Sequence, residues 1–472
     1  MAATTALELQ DIQGLVARGY GGLPSACFVL AGIDEERAAR TWLGSLVDSV
    51  TPAALRPQDH GVHVAFTSDG LSKLGLRPAG PGGLSEEFIG GMTTPHRRRL
   101  LGDVGGNAPE EWEWGGPANP RIDVLLLLYG RDAGELETLR SDHVARLSSG
   151  GLREILTLGT RELDAYEHFG FHDGISQPIV EGLSRTGPWP DSVRAGEFVL
   201  GYPNEYGRYT SGPLVADAAD PGGLLPVSPA ARGHRDFGRN GTYMVLRQLR
   251  QYVHRFWRYA NHVASESGGP ADREATVALA AKLVGRWPSG APLVLSPDRD
   301  DDRLAGANDF AYHGPDPDGD RCPIGAHIRR TNPRDSLDPD PGTRKSVEVG
   351  KRHRILRRGR GYGSRINLRE ALEKDEGDDD RGLHFLCLNA NIARQFEFIQ
   401  HTWANNPKFG DLYDDPDPIV GATGVGGGTF TIQASPLRRR LLQVPEFVSV
   451  SGGAYFFLPG IRALRYLAAL DS

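Results

Sequence analysis

Residues 27–50 read CFVLAGIDEERAARTWLGSLVDSV. Cys27–Ile33 is apolar or small throughout, with Gly32 near its end, and reads as a strand. Asp34 stands at an N-cap position for a helix over Glu35–Val50, where Ala39, Leu43, Leu46 and Val50 share one face. The same pairing of elements recurs downstream. Gly61–Phe66 alternates Val62, Val64 and Phe66 as a short strand does, and Ser68-Asp69-Gly70 opens a short helix through Leu74. A loop-rich excursion carries Met92–Asp103 and the pair Trp112 and Trp114. Ile122–Tyr129 is a third strand, Asp132–Leu147 an amphipathic helix, and Leu152–Leu158 a closing strand. Strand, helix, strand, twice over, predicts an α+β fold in which helices pack on an antiparallel sheet, as in a ferredoxin-like sandwich.

Past this unit the periodicity stops. Residues 166–235 are rich in Gly, Pro and Tyr and read as a connection, and one that long is uncommon unless it has a function. A second lobe follows, with a strand over Thr242–Leu249 and a helix over Tyr252–His262 whose Val253, Phe256, Trp257 and Ala260 share a face. Ala275–Trp287 reads as a helix, residues 288–326 as irregular and acidic, Gly382–Asn389 as a central strand and Ile392–Asn405 as a helix. Phe447–Val450 and Ala454–Leu458 look like a closing hairpin, and Ile461–Leu470 like a terminal helix. The expected division is 1–165, an N-terminal domain; 166–235, a connecting segment; and 236–472, a C-terminal domain.

The 472 residues are 39% hydrophobic and 24% charged, enough for sizeable cores in a water-soluble protein. A net charge of −7 argues against a nucleic-acid partner, which calls for a basic excess. Cys27, Cys322 and Cys387 lie far apart, form no C-x-x-C, and suit a reducing compartment. The N-terminus shows no basic, apolar and small-residue succession of an export signal, and Val124–Tyr129 is too short to span a bilayer. The expectation is a cytoplasmic protein with no membrane contact, and a homo-oligomer stays open.

Three stretches carry chemistry. Tyr166–Gly182 reads YEHFGFHDGISQPIVEG and sets Asp173 between Gly170 and Gly174, with His168 and His172 beside it. Glycines let the backbone turn sharply and approach a bulky ligand, although an isolated D-G is more often a surface turn. Cys322–Asp335, CPIGAHIRRTNPRD, holds one isolated histidine, His327. His353–Gly363, HRILRRGRGYG, runs into a glycine-rich turn with Arg357 and Arg358. One carboxylate, one histidine and one arginine are the set a haem peroxidase uses: an iron ligand, and an acid and a cation to work on peroxide. With no C-x-x-C-H, the haem would be held without thioether bonds.

The G-x-x-D-G of Gly170–Gly174, the AHIRRTNPR of Ala326–Arg334 and the later R-R-G-x-x-Y-G resemble the dye-decolorising peroxidase family. So do GEFVLGYPNEYG (Gly196–Gly207), NGTYMVLRQL (Asn240–Leu249), KLVGRW (Lys282–Trp287) and the run Gly382–Asn406, in the same order along nearly the whole chain. The resemblance implies two ferredoxin-like domains, each an antiparallel sheet with packed helices, and one haem b in the C-terminal domain. It implies His327 as axial iron ligand, Asp173 as distal acid–base rather than His168 or His172, and Arg357 rather than Arg358 as the distal cation. Gly361 stands where the family often has proline. Arg329, Arg330 and Arg334 could meet the haem propionates, and Leu383 and Phe385 would cap the distal haem face. An acid hydrogen-bonded to the axial histidine is also implied; Glu397 is one possibility for it. Hydrogen peroxide and a small phenolic or dye-like aromatic donor would be the substrates. Two alternatives share the fold: a haem-binding protein that handles haem iron with little turnover, and a biosynthetic haem oxidase with one dedicated substrate. His60 and His63 lack a third ligand. Asp316, Asp318 and Asp320 lack the register of a calcium loop, and Asp298–Asp302 and Asp375–Asp380 read as solvated loops.

Overall fold

β1 (Ser25–Ile33) is buried at every residue, so it needs neighbours on both edges and cover on both faces. A computed structural model, which describes residues 6–80, 82–183, 187–265, 272–373, 380–424 and 426–470, supplies both. The acidic run at 375–380 lies outside these residues except for Asp380. α1 (Glu36–Val47) follows β1, then β2 (His60–Phe66), β3 (Val124–Gly130), α2 (Ala133–Ser149) and β4 (Leu152–Gly159). The strands are antiparallel in the order β4-β1-β3-β2, which is the ferredoxin-like order. The second half repeats it. β5 (Thr242–Gln251), α3 (Val253–Ser265) and α4 (Arg273–Val284) precede a two-piece edge, β6 (Leu356–Arg357) and β7 (Arg360–Tyr362). β8 (Gly382–Asn389), β9 (Val448–Leu458) and a terminal helix over Ile461–Ala469 complete it.

In this half β6 and β7 pair with β8, β8 with β5, and β5 with β9. Ranked by chain position the order is the same as in the first half. The two sheets run on into one another where Phe457 of β9 pairs with Phe66 of β2. One core therefore spans both halves on each face of the sheet. Val29, Val64, Leu126, Val245 and Phe457 pack on one side, and Phe28, Leu125, Leu127, Met244 and Leu386 on the other.

Three local expectations differ. Asp34 does not cap α1: Glu35 is the boundary residue and makes no side-chain cap, while Asp34 pairs with Arg153 at 3.3 Å. The expected hairpin at 447–458 is instead one strand, β9, with a register shift between Val450 and Gly452. The glycines that look like a turn make room for Trp114, whose Nε1 would sit 2.3 Å from a Cβ at Gly452. The helix expected over 392–405 is wound as π-helix over Ala393–Glu397 and Ile399–Ala404, a rare form that collects at functional sites. Between residues 166 and 235 the described residues form only short paired strands, Ile179–Val180 with Ser192–Val193 and Leu214–Ala216 with His234–Asp236, and single helical turns. Among the described residues no helix is long and apolar enough to cross a membrane, and all three cysteines are free and buried.

Candidate functional site

The loop that carries Asp173 is shaped by its glycines. Gly170 and Gly174 have φ of +93° and +80°, which other residues rarely adopt. The Asp173 amide donates to Ala165 O at 2.8 Å, and its carboxylate accepts from the Gly174 amide at 2.6 Å and from Arg357 Nη1 at 2.8 Å. Arg357 ends β6, and successive strand residues face opposite sides. Arg358 accordingly points the other way and donates to Leu15 O and Val16 O. Gly361, in β7, pairs with Leu383, and a Cβ there would lie 2.5 Å from Arg161 Nε. Its missing side chain is the seat of the Arg161 guanidinium.

Asp173 and Arg357 open onto a cavity of about 300 Å³. The exposure that remains to Asp173 (40%), Arg357 (31%) and His327 (29%) faces this space, which all three line. One wall is the sheet, through Leu249 of β5, Leu383 and Phe385 of β8, and Val448 and Val450 of β9. Period-2 alternation is what brings Leu383 and Phe385 to the same side. Another wall is α5 (His327–Thr331), with Ile399, Gln400 and Ala404 of the π-helical segment.

His327 begins α5. Its Nδ1 lies 3.0 Å from Asp417 Oδ2 and 3.2 Å from Oδ1, and among the described residues its Nε2 makes no hydrogen bond. Asp417 is wholly buried and also accepts from the Ile419 and Val420 amides. Burial disfavours the imidazolium, but the Asp417 carboxylate outweighs it and holds the His327 pKa above the ordinary histidine value. Burial likewise works against charge on Asp173, and the Arg357 cation outweighs it, so the Asp173 pKa stays below the ordinary carboxylate value. Both Asp173 and Arg357 act electrostatically on His327, across the same cavity.

Glu397, the acid considered beside the histidine, is elsewhere: it accepts from Arg97 at 2.8 Å and from the Tyr455 hydroxyl at 2.8 Å. His168 binds Tyr362 O at 2.7 Å, and burial pulls its pKa down to about 4. His172 lines the cavity with Nδ1 on Ser289 O at 3.1 Å.

The arginines divide. Arg334 reaches the cavity wall, held by Asn308 O at 2.7 Å and stacked on Phe310 at 3.7 Å. Arg329 does not reach it, contrary to expectation. Two residues beyond His327 it lies roughly 200° round the helix, on the far side. There it pairs with Asp316 at 2.9 Å, the two side chains 3% and 2% exposed. Arg330 is buried too, on the carbonyls of Trp403, Asn406 and Asp415. Replacing Arg329 with Met would strand the buried Asp316 carboxylate, and the expected result is a loss of about 3–5 kcal/mol in chemical denaturation, with the cavity unchanged.

Two further buried arginines that the sequence did not single out line the same edge as Arg334. Arg286 donates to Gly290 O and Ala307 O at 2.7 and 2.8 Å, and Arg354 to Ser176 O at 3.3 Å. None of Arg286, Arg334 and Arg354 makes an ion pair with a carboxylate among the described residues. Burial first, and then the nearby Arg334 and Arg357 charges, push the pKa of both Arg286 and Arg354 down to about 10. Beside them the buried Asn332 Nδ2 has no hydrogen-bond partner. The cavity therefore offers an apolar sheet face, the His327 Nε2 on the wall beside it, and a cationic edge short of anions. A flat apolar macrocycle with a metal centre and two carboxylates matches all three.

No protein-family model matches the chain. It is 31% identical to a dye-decolorizing peroxidase of Mycena epipterygia over 98% of its own length and 88% of that protein's. To a multifunctional dye peroxidase of Amycolatopsis sp. it is 30% identical, over 92% of this chain and 91% of the other. Among solved structures, a dye-decolorizing peroxidase in complex with 2,6-dimethoxyphenol superposes with a TM-score of 0.78 at 28% identity, covering 98% of this chain and 100% of that one. A fungal DyP-type peroxidase from Auricularia auricula-judae gives 0.79 at 26%, with the same coverage of both chains.

Proposed function

The chain belongs to the dye-decolorising peroxidase family and is a haem-dependent peroxidase, and from that premise we propose how its own residues share the work. His327 would hold the iron through Nε2, with Asp417 fixing the ring and raising its donor strength. Arg334, Arg286 and Arg354 meet the haem carboxylates, a role in which Arg329 has no part. Leu383 and Phe385 cover the distal side. The haem is haem b, one per chain and non-covalent, since the chain has no C-x-x-C-H. When bound, haem supplies the redox chemistry, taking oxidising equivalents from hydrogen peroxide and passing them on one electron at a time.

Asp173 is the proton carrier. Held ionised by Arg357, it accepts the proton from one peroxide oxygen and returns it to the departing one, directly or through one water. Arg357 stabilises the negative charge that builds on that departing oxygen. The observation that carries this reading is the 2.8 Å Asp173–Arg357 ion pair on the wall of the cavity that His327 also lines. A haem carrier needs neither residue there.

Phenols and dye-like aromatics are the proposed donors, in line with the 2,6-dimethoxyphenol complex of the solved neighbour. The three free cysteines fit a cytoplasmic setting. Purification with added haem, followed by stopped-flow mixing with hydrogen peroxide and 2,6-dimethoxyphenol, tests the proposal. Peroxide-driven spectral change and donor oxidation are expected. Haem uptake with neither would favour the carrier.

A further inference from the structure

A second carboxylate stands behind Asp173. Glu167 begins the same loop and braces it: its two oxygens accept from the amides of Phe169 and Phe171, each at 2.8 Å. Gln251, the last residue of β5, donates to Glu167 Oε2 at 2.7 Å and ties the loop to the sheet. Glu167 and Asp173 also lie where two spaces meet. Both line the main cavity, and both line a smaller cleft of about 40 Å³ on the other side of the loop.

Resting on the role assigned to Asp173 above, we propose that Glu167 is a positioning residue for Asp173 that must be protonated for the peroxide step to run at full rate. Ionised, it would set a second negative charge on the wall where Arg357 has to oppose negative charge on the departing oxygen, and so offset that cation. The cleft gives it a proton route that does not pass through the main cavity.

The surroundings bring the Glu167 proton equilibrium toward neutrality, so that its neutral form is populated there and dominates on the acid side. Burial raises the Glu167 pKa to about 7, the hydrogen bonds from Phe171, Phe169 and Gln251 hold it from rising further, and the Asp173 charge adds to the rise. Two carboxylates whose environments push their proton affinities apart are the usual sign of divided acid and base roles. The other charged groups facing this place are accounted for. Arg161 is tied to Asp164 at 2.7 Å and to the Tyr166 carbonyl, His168 stays neutral, and Glu162 sits on the rim of the cleft; β5 sets Gln251 against Glu167, and its Arg247, on the wall of the main cavity, is paired with Asp103. From β6, Arg357 is engaged by Asp173.

The test is the pH profile of the peroxide reaction in the haem-loaded enzyme, read with pH-difference infrared spectra of its carboxyl groups. For a site titrating at about 7, the wild-type rate constant should fall roughly tenfold between pH 6 and pH 8. A protonated carboxyl band should be lost with the same midpoint. Glu167→Gln should remove both the band and the alkaline fall. Gln251→Leu takes away a hydrogen bond that favours the charged form and leaves the loop's own bonds in place, so it should move both midpoints to higher pH. A Glu167→Gln enzyme slowed equally at every pH, together with an unmoved midpoint in Gln251→Leu, would make Glu167 a brace only and overturn the proposal. Asp173→Asn separates the two readings. If it leaves the peroxide rate intact, the role given to Asp173 fails, while the infrared titration still reports on Glu167.

Discussion

Asp173→Asn is expected to slow the reaction with hydrogen peroxide by about 10²–10⁴-fold while haem binding is kept. The substitution preserves shape and removes the carboxylate that carries the peroxide proton. Arg357→Leu should cost about 10²–10³-fold for the charge it no longer stabilises. The two variants differ in pH dependence, and the sign follows from the electrostatics. Burial alone would raise the Asp173 pKa, and the Arg357 cation more than reverses it. Because the ionised form is the working one, the wild-type rate should hold down through the ordinary carboxylate value of ~3.9 and fall only below it. In Arg357→Leu burial remains and its compensation is gone, so the acid fall should move above that value. Stopped-flow rate constants across the acid range read both effects. An acid limb left in place by Arg357→Leu would show that Asp173 is not the group being titrated.

The second large effect concerns the other side of the cavity. Asp417→Asn should weaken haem-iron binding or activity by about 10–100-fold and raise the iron reduction potential. The reason is the bond from His327 Nδ1 to a buried carboxylate 3.0 Å away. An anionic acceptor strengthens the ring as a donor and favours the more highly charged iron, and a neutral amide does so less. Haem transfer to a scavenger protein and a spectroelectrochemical titration measure the two consequences. An unchanged potential would mean the carboxylate only orients the ring.

What the sequence made legible follows the range over which the causes act. Asp173, His327 and Arg357 stand in short glycine-punctuated stretches, and the family resemblance selects Arg357 rather than Arg358, as the strand geometry of β6 then explains. Helical geometry could have warned against Arg329, since a side chain two residues past the ligand turns away from it. The ligand's partner was hidden. Asp417 lies 90 residues beyond His327 and stands among Asp411, Asp414 and Asp415, so only packing selects it. The sole local sign is its place two and three residues before amides it caps, those of Ile419 and Val420. Strand β9 looked broken because Ser451-Gly452-Gly453 is turn-like in isolation, and the indole that needs those glycines comes from Trp114 in the other half of the chain. The duplicated strand order was legible only as a pattern of elements, since it is carried by pairing and not by repeated residues.

The edge formed by β6 and β7 has a consequence for how the enzyme is put together. Arg357 faces the cavity, while Arg358 and Arg360 from the same few residues reach into the first half and fasten on the carbonyls of Leu15, Val16, Gly19, Tyr20 and Leu23. The N-terminal copy of the architecture lends its backbone as a splint to the reactive copy. A repeated strand order of this kind need not leave an idle half: backbone carbonyls of the first half hold the two arginines that follow Arg357 along the chain, and so keep the guanidinium on the cavity wall in register.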